Sequence, residues 1–569
     1  MLPILDDDKT HHGFSFGEAE EEEGEAKRFR KLLNDAQQML LLGSSNMSKL
    51  TFIVKLLHIK VYCQMTNKAI NMILGILREA FPNSTIPTSY YEAVKILRDI
   101  GLSYIPIHAC RYDCVLFWME FKDKQNCPKF GTSRWKVVEK KIPWKVLRYF
   151  PLKPRLQRLF MKKSTARGMR WHAEKRVDDD TLRHPTDGDA WKEFNKENHW
   201  FACDPRNIRL GLATDGFNPF GVMSSTYSIW PIIVMSYNLP PWKCMTKPFM
   251  MMSLLIPGRN SPGKDIDVYL RPLIDELKDL WTNGVWTYDA YKNEYFQMHA
   301  VVLWTINDFP AYGDLSGWST KGYLACPICN EDVPSRKLRN KICYMFHRRF
   351  LPHDHVWRKS KMFDGKVENR SKPKDLSGIE LLQQLNGLEE KNFGKHPNKM
   401  KRKRTPEELN WTKKSIFFEL PYWKTMKLRH NLDVMHIEKN ICDNILGTML
   451  NIEGKTKDTV NVRLDLEDMK IKKELHLKKM EDGSYLMPPA SYTLTKEERK
   501  KFCCFLKSVK FPDRYASNIS RCVNINDGKI SGLKSHDCHI LLQRLIPVAI
   551  RDFVPKDVVQ ALDELGNFF

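Results

Sequence analysis

Two aspartates, Asp215 and Asp308, each follow an apolar stretch typical of a buried β-strand. The stretches are 208–221, IRLGLATDGFNPFG, and 300–313, AVVLWTINDFPAYG, and each breaks at Gly or Pro just after its aspartate. Each stretch therefore brings one carboxylate to the end of a predicted strand. Carboxylates at neighbouring strand ends are oxygen ligands for paired Mg²⁺ or Mn²⁺ ions, which support phosphoryl transfer. The alternative is that both are surface turn residues that follow core strands.

The elements around these aspartates predict how they meet. Three apolar runs, beginning with 208–214 and continuing with 227–237 and 249–256, are joined by short connections and predict antiparallel strands. An amphipathic helix at 266–283 and a further strand at 298–306 follow. Three strands, a helix and a fourth strand is the order of an RNase H-like domain, although it is not unique to one fold. In that domain the first and fourth strands are neighbours, so we expect Asp215 and Asp308 to lie side by side.

Three cysteines have the outline of a zinc knuckle. They are Cys110, Cys114 and Cys127, but the position where a fourth cysteine belongs holds Phe130. Tetrahedral zinc takes four ligands. Either His108 substitutes for the missing ligand, or the knuckle has lost its metal, and we predict a degenerate knuckle.

A second zinc half-site begins at Cys326-Pro-Ile-Cys329. The Cys-x2-Cys spacing on a turn is typical of zinc binding, and His347 and His353 follow closely enough to complete the ligand set. The alternative is two buried thiols beside unrelated histidines.

A further group of polar residues lies near 430–450. The segment 415–423, SIFFELPYW, predicts a strand, and 430–450, HNLDVMHIEKNICDNILGTML, predicts a long helix. Asp433 and His436 can share a site at i, i+3, or they are solvated residues on an outer face. Glu438 falls within the apolar face, where an acid is costly unless it is paired or metal-bound. The predicted apolar face consists of Leu432, Met435, Ile441, Ile445 and Met449.

The overall charge favours a nucleic acid partner. The chain has 569 residues, with 91 Lys and Arg against 68 Asp and Glu, and a formal net charge of +23. Such a surplus favours a polyanion, nucleic acid before membrane. We find no apolar run of transmembrane length and no secretory pattern, so the 14 cysteines are interpreted as thiols or metal ligands and not as disulfides.

Two basic stretches are the predicted DNA contacts. In 136–176, Lys and Arg alternate with Trp, Tyr and Phe, as phosphate contact and base stacking require, although a solvated helix face gives the same pattern. The second stretch is a nuclear-import signal, a DNA contact or a solvated loop. Its basic residues are Lys399, Lys401, Arg402, Lys403 and Arg404.

The predicted fold class is mixed α/β, and the length predicts several domains. In chain order we predict a disordered acidic tail at 1–26, a helical bundle at 27–106, the degenerate knuckle at 107–135, a basic linker with DNA contacts at 136–200, the RNase H-like core at 201–320, a zinc-binding insertion at 321–362, a basic flexible loop at 363–410, a return strand and helix of the core at 411–455, and a helical C-terminal region at 456–569.

Several long strings carry a family resemblance. They include GLATDGFNPFG, YSIWPIIVMSYNLPPW, LWTINDFPAYGDLSGWSTKGYLACPICN, HNLDVMHIEKNICDN and GLKSHDCHILLQRLIPVAIR. From about residue 47 onward the chain resembles the transposases of plant CACTA-type (En/Spm) DNA transposons. The matching positions are Asp215 and Asp308 for the first two acids of a DDE triad, Cys326 and Cys329 for the zinc-binding insertion, and Asp433 and His436 for an Asp-x2-His signature.

The resemblance implies a cut-and-paste reaction in the nucleus, on double-stranded DNA that carries terminal inverted repeats and on target DNA. A metal-activated water and then the freed 3′-hydroxyl would attack phosphodiesters, with two Mg²⁺ or Mn²⁺ ions held by the carboxylates. An active enzyme of this kind would be a homo-oligomer, and zinc would be a second cofactor.

The family pattern also implies a later His-x3-His pair and a Pro-Phe-Glu-Arg segment, which would supply the remaining zinc ligands and the third acid. Neither occurs in this sequence. We therefore expect a C-terminally truncated copy with impaired catalysis, in which Glu438 is a weak substitute for the third acid. The alternatives to an active enzyme are an inactive DNA-binding remnant and a non-functional product.

Overall fold

The computed structural model describes most of the chain from residue 47 onward. The described residues are 34, 38–41, 47–99, 103–179, 181–220, 227–345, 347–388, 393–398, 405–512, 515–516 and 518–569. The predicted acidic tail, residues 1–26, and the basic cluster at 399–404 lie outside them.

A seven-stranded mixed sheet forms the centre of the protein. Its strands in chain order are β1 (Ile105–Ala109), β2 (Lys145–Tyr149), β3 (Ile208–Thr214), β4 (Trp230–Ser236), β5 (Met250–Ile256), β6 (Ala300–Asn307) and β7 (His430–Leu432). Their order across the sheet is β1-β2-β5-β4-β3-β6-β7. Strands β3, β6 and β7 are parallel, and the other neighbouring pairs are antiparallel. The carboxyl ends of β3, β6 and β7 therefore meet at one edge of the sheet.

Helices cover the sheet and build a second core. The principal helices are α1 (Lys49–Tyr62), α2 (Asn67–Ala80), α3 (Tyr90–Asp99), α4 (Lys153–Phe160), α5 (Asp189–Glu197), α6 (Ile266–Thr282), α7 (Phe309–Ser316), α8 (Gly378–Leu385), α9 (Val434–Met449), α10 (Val460–Asp468), α11 (Lys496–Ser508), α12 (Ser535–Ile540) and α13 (Lys556–Phe568). Shorter helices occupy Lys163–Gly168, Trp171–Glu174, His199–Ala202, Pro241–Cys244, Val356–Lys359 and Ile546–Ala549. None of the described helices is both long and apolar enough to cross a membrane.

The main core lies around the sheet. Strand β6 is buried at nearly every position, as expected for a parallel strand covered on both faces. Helix α6 packs on β6 through an apolar stripe that includes Leu273 and Leu277. The second core lies between α9, α11 and α12, where Cys442, Phe502 and Cys538 are fully buried.

Two predicted regions have a different structure from the one expected. Residues 136–200, predicted as a basic linker, contribute β2 and α4 to the main core. The segment 415–423, predicted as a strand, forms a 3₁₀ turn at Ile416–Glu419, and the strand of this part of the chain is β7. Phe417 and Trp423 do not pair in a strand, but both are buried in the main core. Their rings stack on each other with centroids 4.8 Å apart.

Five two-stranded hairpins lie outside the main sheet in the described part of the chain. They are Trp135–Val137 with Ile142–Pro143, Val285–Asp289 with Glu294–Met298, Ser335–Lys337 with Ile342–Tyr344, Lys478–Lys479 with Tyr485–Leu486, and Val523–Asn524 with Lys529–Ile530. The second of them lies between α6 and β6, in a part of the chain for which no element was predicted.

The long segment between α7 and β7 is closed at its base. Trp318 and Trp411 form an antiparallel bridge, and their rings meet edge to face at 4.9 Å. The N–H of Thr412 donates to the carbonyl of Gly317 at 2.8 Å. We call this closure the neck of the insertion.

Candidate active site

Three aspartates form one row across the carboxyl ends of β3, β6 and β7. Asp215, Asp308 and Asp433 are each the residue that directly follows one of these strands. Ala213 is paired with Ile306, and Asn307 with Leu432. Continuing these registers sets Asp308 opposite Asp215 on one side and opposite Asp433 on the other. We call these three residues the aspartate row.

Each carboxylate of the row is held by a backbone N–H through one oxygen. Oδ1 of Asp215 accepts from Gly216 at 2.6 Å, and Oδ1 of Asp308 accepts from Ala311 at 2.8 Å. Oδ1 of Asp433 accepts from the first turn of α9 at 2.9 and 3.4 Å. Within the described residues, no hydrogen bond is found to the second oxygen of each carboxylate.

The electrostatics of the row are unbalanced toward negative charge. Asp215 is exposed as a residue, yet partial desolvation of its carboxylate raises its pKa. The charge of Asp308 raises this pKa further, and that of Asp433 adds to it, while His436 lowers it. Negative charges that raise the pKa of a neighbouring carboxylate favour a bound cation, and oxygen donors suit Mg²⁺ or Mn²⁺. The residues present therefore fit such ions.

The spacing of the row bears on the number of ions. Across the described residues, only one set of three or more His, Cys, Asp or Glu has ligand atoms all within 4.8 Å of one another, and it is not the aspartate row. Two ligands of one Mg²⁺ are at most about 4.2 Å apart, because each lies about 2.1 Å from the ion. The three carboxylates therefore do not form a set in which all ligand atoms lie within 4.8 Å of one another.

A buried chain of hydrogen bonds fixes the three strand ends beneath the row. The N–H of Thr214 donates to Oδ1 of Asn307 at 3.1 Å, and Nδ2 of Asn307 donates to the hydroxyl of Thr305 at 2.9 Å. This hydroxyl lies 2.8 Å from Nδ1 of His430, and the N–H of Asp433 donates to the carbonyl of Asn307 at 2.8 Å. Burial lowers the pKa of His430 to about 3, so this histidine stays neutral.

Gly216 is required by the close approach of the next strand. A Cβ at this position would lie 2.7 Å from the hydroxyl of Ser228 and 2.7 Å from the indole nitrogen of Trp230. The Thr-Asp-Gly sequence therefore combines a strand end, a carboxylate and the one residue that fits after it.

Glu438 is buried but engaged away from the row. Its carboxylate lies 2.8 and 3.0 Å from Nδ1 of His539 on α12. Much of the predicted inward face of α9 packs in the second core, including Ile445 and Met449, and Cys442 and Leu446 lie beside them against α12. Met435, which was predicted to be buried, is 59% exposed.

The predicted zinc ligands of the insertion are only partly together. Cys326 and Cys329 are adjacent, and burial and the neighbouring Cys326 raise the pKa of Cys329 to about 12. Neither His347 nor His353 joins them in a three-residue cluster, although all four residues belong to the described part. The ring of His347 packs on Phe363 at 5.9 Å.

Buried arginines hold this insertion together. Arg348 donates to the carbonyls of Trp357 at 2.9 Å and Ser360 at 2.7 Å, and Arg358 donates to the carbonyl of Arg370 at 2.7 Å. Both arginines are no more than 2% exposed. Their guanidinium groups satisfy carbonyls in a region that has few apolar residues to bury.

Sequence reasoning did not find Asn307 and did not place Asp433 in the row. The sequence contains a signal for each of them, which is an asparagine shortly before a strand-end aspartate. Asn307 stands one residue before Asp308, and Asn431 stands two residues before Asp433. A short polar side chain just before a strand-end aspartate can bond to the neighbouring strand. The three-residue length of β7 conceals the strand from periodicity.

Comparison with known proteins relates the centre of this site to one family. No curated protein matches the chain significantly. Residues 179–388 match the family model described as transposase family tnp2. The matched range includes Asp215 and Asp308, and it ends before Asp433. The region that carries the first two members of the aspartate row is therefore related to a transposase family.

Proposed function

We propose that the protein is a CACTA-type transposase that acts on DNA, and that its aspartate row holds the divalent cations for phosphodiester cleavage and strand transfer. The observation that carries this proposal is the row itself: three aspartates at adjacent parallel strand ends, each with one oxygen free of hydrogen bonds to the described residues. The match to transposase family tnp2 supports the choice of DNA as substrate.

The strand order supports an RNase H-like core. Strands β3, β4 and β5 are antiparallel in series, α6 follows, and β6 returns beside β3. This is the arrangement that brings the first and second acids of the family together.

Two cations fit the row better than one. The three carboxylates do not form one tight set, and Asp308 stands between the other two, so it can contribute to both ion positions. Bound ions would polarise the phosphate and activate the attacking water or 3′-hydroxyl. The chain's own part is to hold the carboxylates: Asp308 and Asp433 cap helices, and Asn307 locks the strand ends beneath them.

We assign the third acid to Asp433 and not to Glu438. Asp433 acts on the pKa of Asp215, whereas the carboxylate of Glu438 is bound by His539. His436 lies one turn into α9 and lowers the pKa of Asp215, so it can balance charge or contact phosphate.

The overall charge supports a DNA substrate. A formal charge of +23 attracts a polyanion over long range, and this attraction weakens as salt increases. The basic cluster at 399–404 is the proposed nuclear-import signal, and a fluorescent fusion with these residues changed to Ala should lose its nuclear accumulation.

A strand-cleavage assay tests the proposal. The full chain is incubated with Mn²⁺ and a duplex that carries the terminal repeat of the element. We expect cleavage that Asp215→Asn and Asp308→Asn abolish and that Asp482→Asn, an exposed hairpin acid bonded to Ser484, leaves unchanged. Cleavage that survives in Asp215→Asn would overturn the site. Salt-sensitive binding without cleavage would support an inactive DNA-binding remnant instead.

A further inference from the structure

Three buried cysteines form a cluster beside β1, the outermost strand on the side of the sheet away from β7. Cys110 follows β1, which is the edge strand farthest from β7. The sulfurs of Cys110, Cys114 and Cys127 lie within 4.8 Å of one another, and each residue is no more than 2% exposed. We call these residues the thiol cluster. It is the one set of three potential metal ligands that the described residues bring this close.

Backbone N–H groups point at two of the three sulfurs of the cluster. The N–H of Tyr112 points at the sulfur of Cys110 at 3.5 Å. The N–H groups of Lys129 and Phe130 point at the sulfur of Cys127. A neutral thiol is a weak acceptor, whereas a thiolate gains from each such donor. The turns that aim these donors depend on a left-handed residue, as at Gly131 with φ +66°.

The fourth side of the cluster is closed by a distant segment. Residues 393–398, which we call the strap, pack on the cluster, and a Cβ at Gly394 would lie 2.6 Å from the sulfur of Cys114. The ring of His396 stacks on Phe130 at 4.4 Å with an angle of 4° and meets Tyr112 edge-on at 4.7 Å. His396 therefore lies against the residue that occupies the missing cysteine's position.

The other nearby histidine is already engaged. Nδ1 of His108 accepts from Nε of Arg134 at 2.9 Å, and its ring meets Trp135 at 5.2 Å. His396 is only half-buried, and its Nδ1 accepts a hydrogen bond from the exposed N–H of Asn398 at 3.2 Å. The ring nitrogens of His396 do not lie within 4.8 Å of all three sulfurs, so metal binding requires this half-buried ring to move from its stack on Phe130 and to give up the hydrogen bond from Asn398.

We propose that the thiol cluster binds one zinc ion as thiolates, with His396 of the strap as the fourth ligand. Zinc forms closed tetrahedral sites with sulfur and imidazole ligands, and three cysteines with one histidine are a regular structural set. Binding releases the thiol protons to solvent and needs no redox partner. The ion then joins the cysteines beside β1 to a segment that lies more than 260 residues later in the sequence. A local zinc knuckle, by contrast, takes all its ligands from one short stretch of chain.

The first experiment tests whether the cluster binds metal. The full chain carrying Cys326→Ser and Cys329→Ser, which removes the other predicted zinc site, is purified and its zinc content is measured. The same protein is titrated with Co²⁺, which reports thiolate ligation by charge-transfer absorption and tetrahedral geometry by its visible bands. We expect one ion per chain and both signals. Cys127→Ala should abolish them, whereas Cys244→Ala, another buried free thiol outside the cluster, should not. Absence of both signals in the parent protein would overturn the proposal.

The second experiment tests the fourth ligand and keeps all three cysteines, so it does not depend on the folding of Cys127→Ala. His396→Ala should weaken zinc affinity by about tenfold or more. Adding Phe130→Cys to His396→Ala should restore the affinity, because it supplies a thiolate at the missing position. An affinity that does not change in His396→Ala would overturn the assignment of His396.

Discussion

Asp433 has two roles that different substitutions separate. It caps α9 by accepting from the N–H groups of Met435 at 2.9 Å and His436 at 3.4 Å, and its charge is one member of the aspartate row. Asp433→Ala removes the cap and the charge together. Asp433→Asn keeps a good capping residue and removes only the charge.

The expected magnitudes differ between the two variants. Loss of the cap in Asp433→Ala should lower the free energy of unfolding by about 1 kcal/mol without metal. Asp433→Asn should change it by no more than about 0.5 kcal/mol, since the lost helix-dipole interaction and the relieved repulsion of Asp215 oppose each other. At a Mn²⁺ concentration about 100 times the dissociation constant, binding to the unmutated protein should raise its free energy of unfolding by about 2.7 kcal/mol. If Asn weakens affinity about 100-fold, this increment falls to about 0.4 kcal/mol.

Urea unfolding followed by tryptophan fluorescence, with and without Mn²⁺, measures both effects. Thr495→Ala is the matched control, because Thr495 caps α11 through the N–H of Glu498 at 3.4 Å, outside the row. This control should lose about 1 kcal/mol and keep the whole Mn²⁺ increment. If Asp433→Asn keeps the full increment, Asp433 is not a cation ligand and the reasoning fails.

Three further predictions concern the same edge of the sheet. Because desolvation and Asp308 raise the pKa of Asp215, its charged form destabilises the metal-free fold above that pKa; Asp215→Asn should therefore increase the free energy of unfolding at pH 7 without metal, and a decrease would contradict this. Asn307→Ala leaves the last N–H of β3 unpaired and should cost about 1–3 kcal/mol in urea unfolding, whereas a cost near zero would mean that water replaces the amide. His430 has a pKa lowered to about 3, below the roughly 6.5 of an unfolded chain, so it contributes stability above about pH 6.5 that is lost progressively as the pH falls toward 3. In a pH series of unfolding measurements, the free energy of unfolding of His430→Gln should fall less steeply across this range than that of the unmutated protein. Equal slopes for the two proteins would show that the ring is not held neutral.

The sequence predicted the centre of the sheet well because its strands are buried on both faces. The runs 208–214, 249–256 and 298–306 lie within two residues of β3, β5 and β6, and the helix predicted at 266–283 ends one residue beyond α6. Buried parallel strands are continuous apolar runs, and each ends where a polar residue meets the edge. The neighbouring position of Asp215 and Asp308 then depended only on which strands pair.

The edges of the sheet could not be predicted in the same way. Strand β7 has three residues, too few for a periodicity, and it is held by backbone pairing to β6. Strand β2 carries Lys145 and Arg148 within a basic part of the chain, so composition favoured a linker although Leu147 and Tyr149 are core residues. On the inward face of α9 the sequence predicted Ile445 and Met449 but missed Cys442 and Gly447, because these two residues carry little hydrophobic weight.

The neck formed by Trp318 and Trp411 separates the length of the insertion from the positions of α7 and β7. Because the two tryptophans are in contact, the residues between them form a closed loop. The length of this loop has little influence on the separation of α7 and β7. The entropic cost of closing such an excursion grows only slowly with its length. Changes in the length of this segment should therefore leave the row of carboxylates in register, provided that the strap keeps its backbone hydrogen bonds to Tyr112 and Asp265.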